Sequence, residues 1–183
     1  MGKSNSAAAA KQAKSKRKRK PGANSPSALG YDSFAWIPLE MMQSDAFLSL
    51  SRAGSQFLWA ILREHVEHGG HENGRLIVTH QQAKAFGISG SGIRPAIEEL
   101  EFLGFISFIQ GGRYNGSNQP NRYRIAWLWS KDRDGASVAP REVWKMRTAA
   151  EIDTWKLRRT QTRKAKRTWR NQPVSQAGPS VSQ

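Results

Sequence analysis

The stretch that decides the fold is THQQAKAFGISGSGIRPAIE, residues 79–98. Thr79 with Gln82 three residues later is a capping-box pattern, which predicts a helix that begins here and runs to Phe86. Gly87 then permits a sharp change of direction, because glycine adopts backbone conformations that other residues avoid. The pattern therefore predicts a short helix followed at once by a turn.

A second helix is expected to begin at Ser89 or Ser91, because apolar residues then recur at three- and four-residue spacing. Its expected buried residues are Ile93, Ala96, Ile97, Leu100 and Leu103. Gly104 would end this helix in the left-handed conformation. Pro95 would fit if it lay in the first turn, where few amide hydrogens have helical partners. The solvated face is expected to carry Glu98, Glu99 and Glu101. Two helices joined by such a turn form a helix-turn-helix.

The residues around this motif predict further elements. An amphipathic helix is expected from the N-cap Ser51 to Gly69-Gly70. Three strands are expected, at residues 75–78, 105–110 and 122–129. One face of the last strand would carry Tyr123, Ile125, Trp127 and Trp129. The polar, glycine-rich residues 111–121 predict an extended hairpin loop. The order helix, strand, helix, helix, strand, strand is that of a winged helix, an α+β fold.

Charge is distributed unevenly along the 183 residues. Residues 1–33 hold eight basic residues and one acidic residue, and residues 34–130 hold eight of each. Residues 131–183 hold thirteen basic and five acidic residues. The net charge of +15 therefore lies at the two ends of the chain. Such a distribution favours an anionic polymer as partner, because each neutralised phosphate releases counterions.

The chain is predicted to divide into four segments. They are a disordered basic arm over residues 1–33, a winged-helix DNA-binding domain over 34–130, a basic helical extension over 131–171 and a disordered tail over 172–183. Low apolar content predicts the disorder at both ends. A second capping box, at Thr148 and Glu151, predicts the C-terminal basic helix of the extension.

Candidate DNA contacts fall into three groups. The N-terminal part of the second helix would enter the major groove, with Ser89, Gly90, Ser91, Arg94 and Pro95 on its outer face. Arg94 is the long donor there that can bind guanine through two hydrogen bonds. The hairpin, or wing, would contact the backbone or minor groove through Arg113, Tyr114, Asn115, Asn118, Arg122 and Arg124. The arms would bind phosphates through Lys16, Arg17, Lys18, Arg19, Lys20, Arg158, Arg159, Arg163, Lys164, Lys166 and Arg167. The alternative for the first group is a helical hairpin that only packs on a core. The alternative for the wing residues is a solvent-exposed loop without a binding role.

Three stretches carry a resemblance: FAWIPLEMMQSDAFLSLSRAG from Phe34, NGRLIVTHQQAKAFGISGSGIRPAIEELEFLGFI from Asn73 and PNRYRIAWL from Pro120. They resemble winged-helix proteins of bacterial plasmids, prophages and other mobile elements. Their layout is similar to that of the N-terminal winged-helix domain of plasmid replication initiators. The resemblance covers residues 34–128. It implies DNA binding without one fixed role, because members resemble both regulators and replication-associated proteins.

The sequence gives little support to a catalytic or a metal-dependent function. No Walker A lysine, nucleophile elbow or acidic cluster for two-metal chemistry occurs, so neither enzymatic activity nor a cofactor is expected. The chain has no cysteines, which excludes thiolate metal sites. A conceivable metal site would use His65, His68, His71, Glu67 and Glu72. Their spacing crosses Gly69-Gly70, and no metal site is predicted.

No apolar run reaches the roughly 18 residues that span a bilayer, and the N-terminal order of residues does not fit a signal peptide. We therefore expect a cytoplasmic bacterial protein that associates with nucleoid or plasmid DNA. Contact with a membrane is not expected, because the apolar stripe of the C-terminal helix is narrow.

The residues as a whole predict a protein that binds double-stranded DNA without catalysis. Transcriptional regulation of a mobile element is the first expectation for its role. Replication initiation is the alternative among roles that need specific DNA binding. Non-specific coating of nucleic acid, including RNA, is the alternative among structural roles. The sequence leaves open whether the protein forms a homodimer.

Overall fold

The computed structural model describes residues 34–114, 116–131 and 135–170, without the side chains of Tyr114, Lys166, Arg167, Trp169 and Arg170. All described residues except Phe34 belong to one unit, Ala35–Gln183. The predicted disorder of residues 1–33 and 172–183 lies outside the described residues. The same holds for the candidate contacts Lys16, Arg17, Lys18, Arg19, Lys20 and Asn115.

The described chain combines helices with small antiparallel sheets, so the predicted α+β class is confirmed. Its helices are α1 (Leu39–Met42), α2 (Asp45–Leu48), α3 (Arg52–Glu67), α4 (His80–Ala85), α5 (Gly90–Leu103), the 3₁₀ helix η1 (Val143–Met146) and α6 (Ala149–Arg170). Its strands are β1 (Ile106–Ile109), β2 (Gly112–Tyr114), β3 (Ser117–Gln119), β4 (Arg122–Ile125), β5 (Ser130–Lys131) and β6 (Ser137–Val138). They pair as β1 with β4, β2 with β3 and β5 with β6.

Helix α3 forms where the sequence predicts it. Ser51 is its N-cap, and the Ser51 Oγ accepts a hydrogen bond from the Gly54 amide at 3.0 Å. Phe57 and Ile61 on its apolar face are fully buried. The helix ends at His68, before two glycines with positive φ. Local capping and periodicity therefore set both ends of α3.

The two helices of the central motif also form as predicted. Thr79 and Gln82 make both hydrogen bonds of the capping box at the start of α4. Gly87 adopts a φ of 82° in the turn, and Gly104 adopts a φ of 84° after α5. The five predicted core residues of α5 are all buried.

Pro95 lies deeper in α5 than expected. It is the sixth residue of the helix, so the expectation that it lies in the first turn is wrong. A proline has no N–H, and the carbonyl of Ser91 four residues earlier therefore lacks its helical donor. Ser91 is exposed, and water can bind this carbonyl instead.

Strands β1 and β4 form an antiparallel sheet whose two faces carry different residues. Ile106 lies opposite Ile125 and Phe108 opposite Tyr123, and these pairs face the core. On the other face of the sheet, Ser107 lies opposite Arg124 and Ile109 lies opposite Arg122. In place of the strand predicted at residues 75–78, Leu76 makes a single bridge to Tyr123.

Strand β4 ends earlier than the predicted strand 122–129, because a buried side chain holds the chain in a turn. Asn73 Oδ1 accepts a hydrogen bond from the Ile125 amide at 2.7 Å. The Asn73 Nδ2 donates to the carbonyls of Ile125, Leu128 and Trp129 at 3.0–3.3 Å. The turn breaks the predicted alternation, and Trp129 is 67 % exposed. The expectation that Trp129 lies on the same strand face as Tyr123 and Ile125 is therefore wrong.

The predicted hairpin loop 111–121 is more regular than expected, because it contains β2 and β3. Its neck is narrow. A Cβ on Gly111 would lie 2.0 Å from the carbonyl oxygen of Gln119, so only glycine fits there. The Gly111 amide also donates to the Asn121 Oδ1 at 2.8 Å.

The hydrophobic core extends beyond residue 130. Trp144 in η1 and Ile152 in α6 are each 1 % exposed and pack with the core residues of α3, α5 and the sheet. Thr148 and Glu151 form both hydrogen bonds of the predicted capping box at the start of α6. A domain cut at residue 130 would therefore lose two core side chains.

Glu99 departs from the expected solvated face of α5. It is 4 % exposed, and its Oε1 accepts from the Ser51 amide at 2.8 Å. Its Oε2 accepts from the Ser51 hydroxyl. The carboxylate thus lies at the N-terminus of α3, where the helix dipole favours negative charge. It ties α5 to α3, the pair of elements that forms the centre of the core.

Replacement of Glu99 is expected to destabilise the fold. Glu99→Ala removes the carboxylate that accepts hydrogen bonds from the amide and the hydroxyl of Ser51, which costs about 1.5–3 kcal/mol. Urea denaturation at 25 °C measures the change. Glu101→Ala is the matched control on the same helix, because Glu101 is exposed, and its effect should stay within about 0.5 kcal/mol. Equal effects of the two substitutions would contradict the assigned role of Glu99.

Candidate nucleic-acid interface

The N-terminus of α5 is open to solvent. Ser89, Gly90 and Ser91 are all exposed. The N-cap Ser89 makes no capping hydrogen bond through its side chain, and its Oγ lies 3.3 Å from the Oγ of Ser91. A Cβ added at Gly90 would meet no atom within 4 Å. The start of this 14-residue helix is therefore open to solvent, and an open helix N-terminus attracts anions.

Arg94 lies one turn further along α5 with its guanidinium held in place. Its Nε donates to the Glu98 Oε1 at 2.8 Å, and its side chain is 59 % exposed. The guanidinium carbon also lies 5.8 Å from the centre of the Phe108 ring. The bond to Glu98 uses the Nε alone, so a contact with a base would be made by the two terminal amino groups of the guanidinium.

Helix α6 packs along the outer side of α5. The rings of Trp155 and Phe102 stack at 4.5 Å with an interplanar angle of 6°. The Arg159 Nη2 donates to the Pro95 carbonyl at 2.7 Å and to the Glu98 Oε2 at 3.0 Å. These contacts pair a later residue of α6 with an earlier residue of α5. The two helices are therefore antiparallel, and α6 runs towards the N-terminus of α5.

The basic residues of α6 follow this direction. Eleven residues of α6 come after Arg159, about 16 Å of helix, whereas five residues of α5 precede Pro95, about 8 Å. Helix α6 is thus long enough to reach past the end of α5. Arg158, Arg163 and Lys164 are exposed. Arg159 has only 19 % of its side chain exposed and serves the contact between the helices.

The sequence did not reveal that α6 docks on α5. A partial signal was present, because Trp155 and Arg159 are four residues apart and therefore share one face of a helix. Nothing local to them indicates Phe102, Pro95 and Glu98 as partners. The predicted arm is therefore in part a structural element of the same core.

The predicted wing residues divide into two sets. Arg113 and Asn118 lie opposite each other in the β2–β3 hairpin and are exposed. Arg122 and Arg124 lie instead on the outer face of the β1–β4 sheet. Phe108, which Arg94 contacts, belongs to the opposite face. The wing arginines are therefore not all directed to the same side as α5.

The outer face of the sheet forms one wall of a cavity of about 940 Å³. Its basic lining residues are Arg75, Arg113, Arg122, Arg124, Lys131 and Arg141, and no aspartate or glutamate of the described residues lines it. Arg75, Lys131 and Arg141 belong to this group without any signal in the sequence, because they come from separate parts of the chain. Burial, and then the like charge of Arg141, lower the pKa of the Arg124 guanidinium below its ordinary value.

The histidines at the end of α3 do not gather into a metal site. In the described ranges, no three His, Cys, Asp or Glu side chains are placed so that they could hold a metal ion. Burial, and then the charge of His71, lower the pKa of His65. His68 Nδ1 lies 2.9 Å from the carbonyl oxygen of Glu64, a contact inside the same helix.

Among the described residues, no helix combines the length and apolar composition that crossing a bilayer requires. Comparisons of the chain with protein-family models, with curated proteins and with solved structures find no match.

Removal of the Trp155 ring is expected to release α6 from α5. Trp155→Ala loses a stacked aromatic pair and its buried apolar area, together about 1–3 kcal/mol of docking energy. Hydrogen exchange in residues 153–170 should therefore accelerate about 10- to 100-fold, with little change in α3. Leu157→Ala is the control in the same helix, because Leu157 is 60 % exposed. Unchanged protection in Trp155→Ala would show that the stack does not hold α6.

Proposed function

We propose that this chain is a DNA-binding protein in which α5 is the recognition helix of a winged helix-turn-helix domain. The proposal rests chiefly on one arrangement: the open N-terminus of α5 lies beside the antiparallel helix α6, whose basic C-terminal half runs towards the same end. The N-terminal part of α5 would enter the major groove with Ser89, Gly90, Ser91 and Arg94 towards the bases. Pro95 would lie at the edge of this surface, because its carbonyl accepts from Arg159 of α6.

The winged-helix assignment draws support from the order and pairing of the elements. Helices α4 and α5 are joined by the tight turn at Gly87, and an antiparallel β1–β4 pair follows. The bridge between Leu76 and Tyr123 of β4 lies where a winged helix has its first strand. The β2–β3 hairpin extends from this pair and is suited to a wing that carries Arg113 and Asn118.

In this proposal α6 contacts the phosphate backbone beside the recognition helix. Arg158, Arg163 and Lys164 would bind phosphates, together with Lys166 and Arg167 further along the helix. Arg159 would position the helix instead of binding DNA. The contact is sequence-independent, because phosphates carry no base information.

We place the biological role in transcriptional regulation of a mobile element, where one operator would be protected in a footprint. An initiator of replication would instead bind repeats at an origin and open the duplex. A coating protein would bind all duplexes, or RNA, with equal affinity. Footprinting on the DNA that encodes and flanks this protein distinguishes the three roles.

Arg94→Ala is expected to weaken binding to a specific duplex by about 1–3 kcal/mol, because a bidentate contact to guanine would be lost. Fluorescence anisotropy at fixed salt measures the affinity on the specific duplex and on a scrambled one. The loss on scrambled DNA should be much smaller. The matched control is Arg63→Ala, because Arg63 forms an ion pair to Glu67 with the same spacing and similar exposure.

No loss for Arg63→Ala, together with a loss for Arg94→Ala on the specific duplex, would support α5 as the recognition helix. An equal loss for Arg94→Ala on both duplexes would mean that Arg94 binds phosphate only. No loss on either duplex would contradict the proposed role of α5.

Neutralising the N-terminal basic run is expected to reduce the salt dependence of binding. The full chain would carry glutamine in place of Lys16, Arg17, Lys18, Arg19 and Lys20. Each lost phosphate contact lowers the slope of log affinity against log salt by about 0.9 on duplex DNA. The ratio of specific to scrambled affinity should be preserved, because base contacts remain. A salt titration that gives an unchanged slope would exclude this run as a backbone contact.

A further inference from the structure

The basic residues of the cavity on the outer face of the β1–β4 sheet come from five separate parts of the chain, one of which is β2 with Arg113. Arg122 and Arg124 come from β4, and Arg75 comes from the segment before α4. Lys131 comes from β5. Arg141 follows β6, and its amide donates to the Ala126 carbonyl at 2.6 Å, which fixes it beside the end of β4. The side chains thus converge through the fold and not through a local basic run.

The positive charge in this cavity has no compensation from the described residues. None of the six basic residues that line it forms an ion pair with a described carboxylate. Asp132 and Asp134 lie outside the described residues. The pKa of Arg124 is lowered, first by burial and then by the neighbouring positive charge of Arg141. Like charges held together in this way favour an anion between them.

Within the described part of the chain, two polar atoms at the cavity are buried and have no hydrogen-bond partner. They are the Nε of Arg124 and the Oγ of Ser130, and Ser130 is only 7 % exposed. Both residues line the cavity. A buried donor that lacks a partner costs free energy, and a ligand whose oxygen acceptors reached these two atoms would remove that cost.

We propose that this cavity binds a phosphate group. Several guanidinium groups and a hydroxyl can together bind three or four oxygens, which a phosphate has and a carboxylate lacks. Arginine is suited to this because its planar donors bind phosphate oxygens in pairs. The cavity volume of about 940 Å³ lies within the range that binds small organic ligands.

This site is separate from the proposed recognition helix α5, although Arg113 in its lining also belongs to the proposed wing. Arg122 and Arg124 lie on the face of the sheet opposite Phe108, which contacts Arg94. The proposal does not rest on DNA binding by α5 and can be tested without it. The phosphate has two sources, a free phosphorylated small molecule or the backbone of a bound duplex.

The primary test is calorimetric titration of the full chain with pyrophosphate in phosphate-free buffer. One saturable site is expected. Arg141→Gln should weaken it about 10- to 100-fold, because a charge-assisted hydrogen bond is lost. Arg141 is exposed, so the fold should persist, and an unchanged thermal midpoint without ligand would verify this. Ser130→Ala should also weaken binding, by a smaller factor.

Arg63→Gln is the control, because it removes one exposed positive charge from α3, away from the cavity. It should change the affinity for pyrophosphate by less than about twofold, the effect of general charge alone. A titration without saturation, or an equal loss in Arg63→Gln and Arg141→Gln, would overturn the phosphate site.

A duplex titration of the same variants identifies the source of the phosphate. If Arg141→Gln weakens duplex binding, the site holds a backbone phosphate. If duplex binding is unchanged while pyrophosphate binding is lost, the site holds a free phosphorylated molecule. Both results support the site. The phosphate site and the proposed DNA binding by α5 are tested separately, because Arg94→Ala decides the second alone.

Discussion

The buried carboxylate of Glu99 is the interaction on which the arrangement of this fold depends. It joins α5 to the N-terminus of α3 through the amide and hydroxyl of Ser51. The next carboxylate, Glu98, points to the other side of the same helix and binds both Arg94 and Arg159. Adjacent acidic residues therefore hold α5 from two directions, one towards the core and one towards α6. The position of the exposed first turn of α5 follows from both contacts.

The two basic surfaces of the described unit differ in how their charge is compensated. Beside α5, Glu98 partly neutralises the arginines, and the remaining cations of α6 are exposed. In the cavity behind the sheet, the described residues supply no acidic partner, and two donor atoms are buried and unpaired. The first arrangement suits a large polyanion that approaches from solvent, because exposed cations remain hydrated until contact. The second suits a small anionic group that fills a defined space.

Local signals in the sequence predicted much of the helical framework. Capping boxes at Thr79 and Thr148, the glycines after α3, α4 and α5, and apolar periodicity located these helices, because each signal acts within a few residues. Long-range contacts were not predictable in this way. Trp129 became exposed because Asn73, distant in sequence, holds the turn after β4. Glu99 became buried because of Ser51. The basic cavity escaped notice because its members are neighbours only after folding.

The open space at Gly90 affects which substitutions the protein can accept during evolution. An added side chain there would meet no neighbour within 4 Å, and it would replace a residue that weakens helices with one that supports them. By contrast, a Cβ at Gly92 would lie 3.1 Å from the Ser89 Oγ and 3.3 Å from the side chain of Ile88. Gly90 is therefore a position where new donors and acceptors can be introduced without repacking. Divergence in what this helix recognises can begin from a single codon, at no cost to the stability of the scaffold.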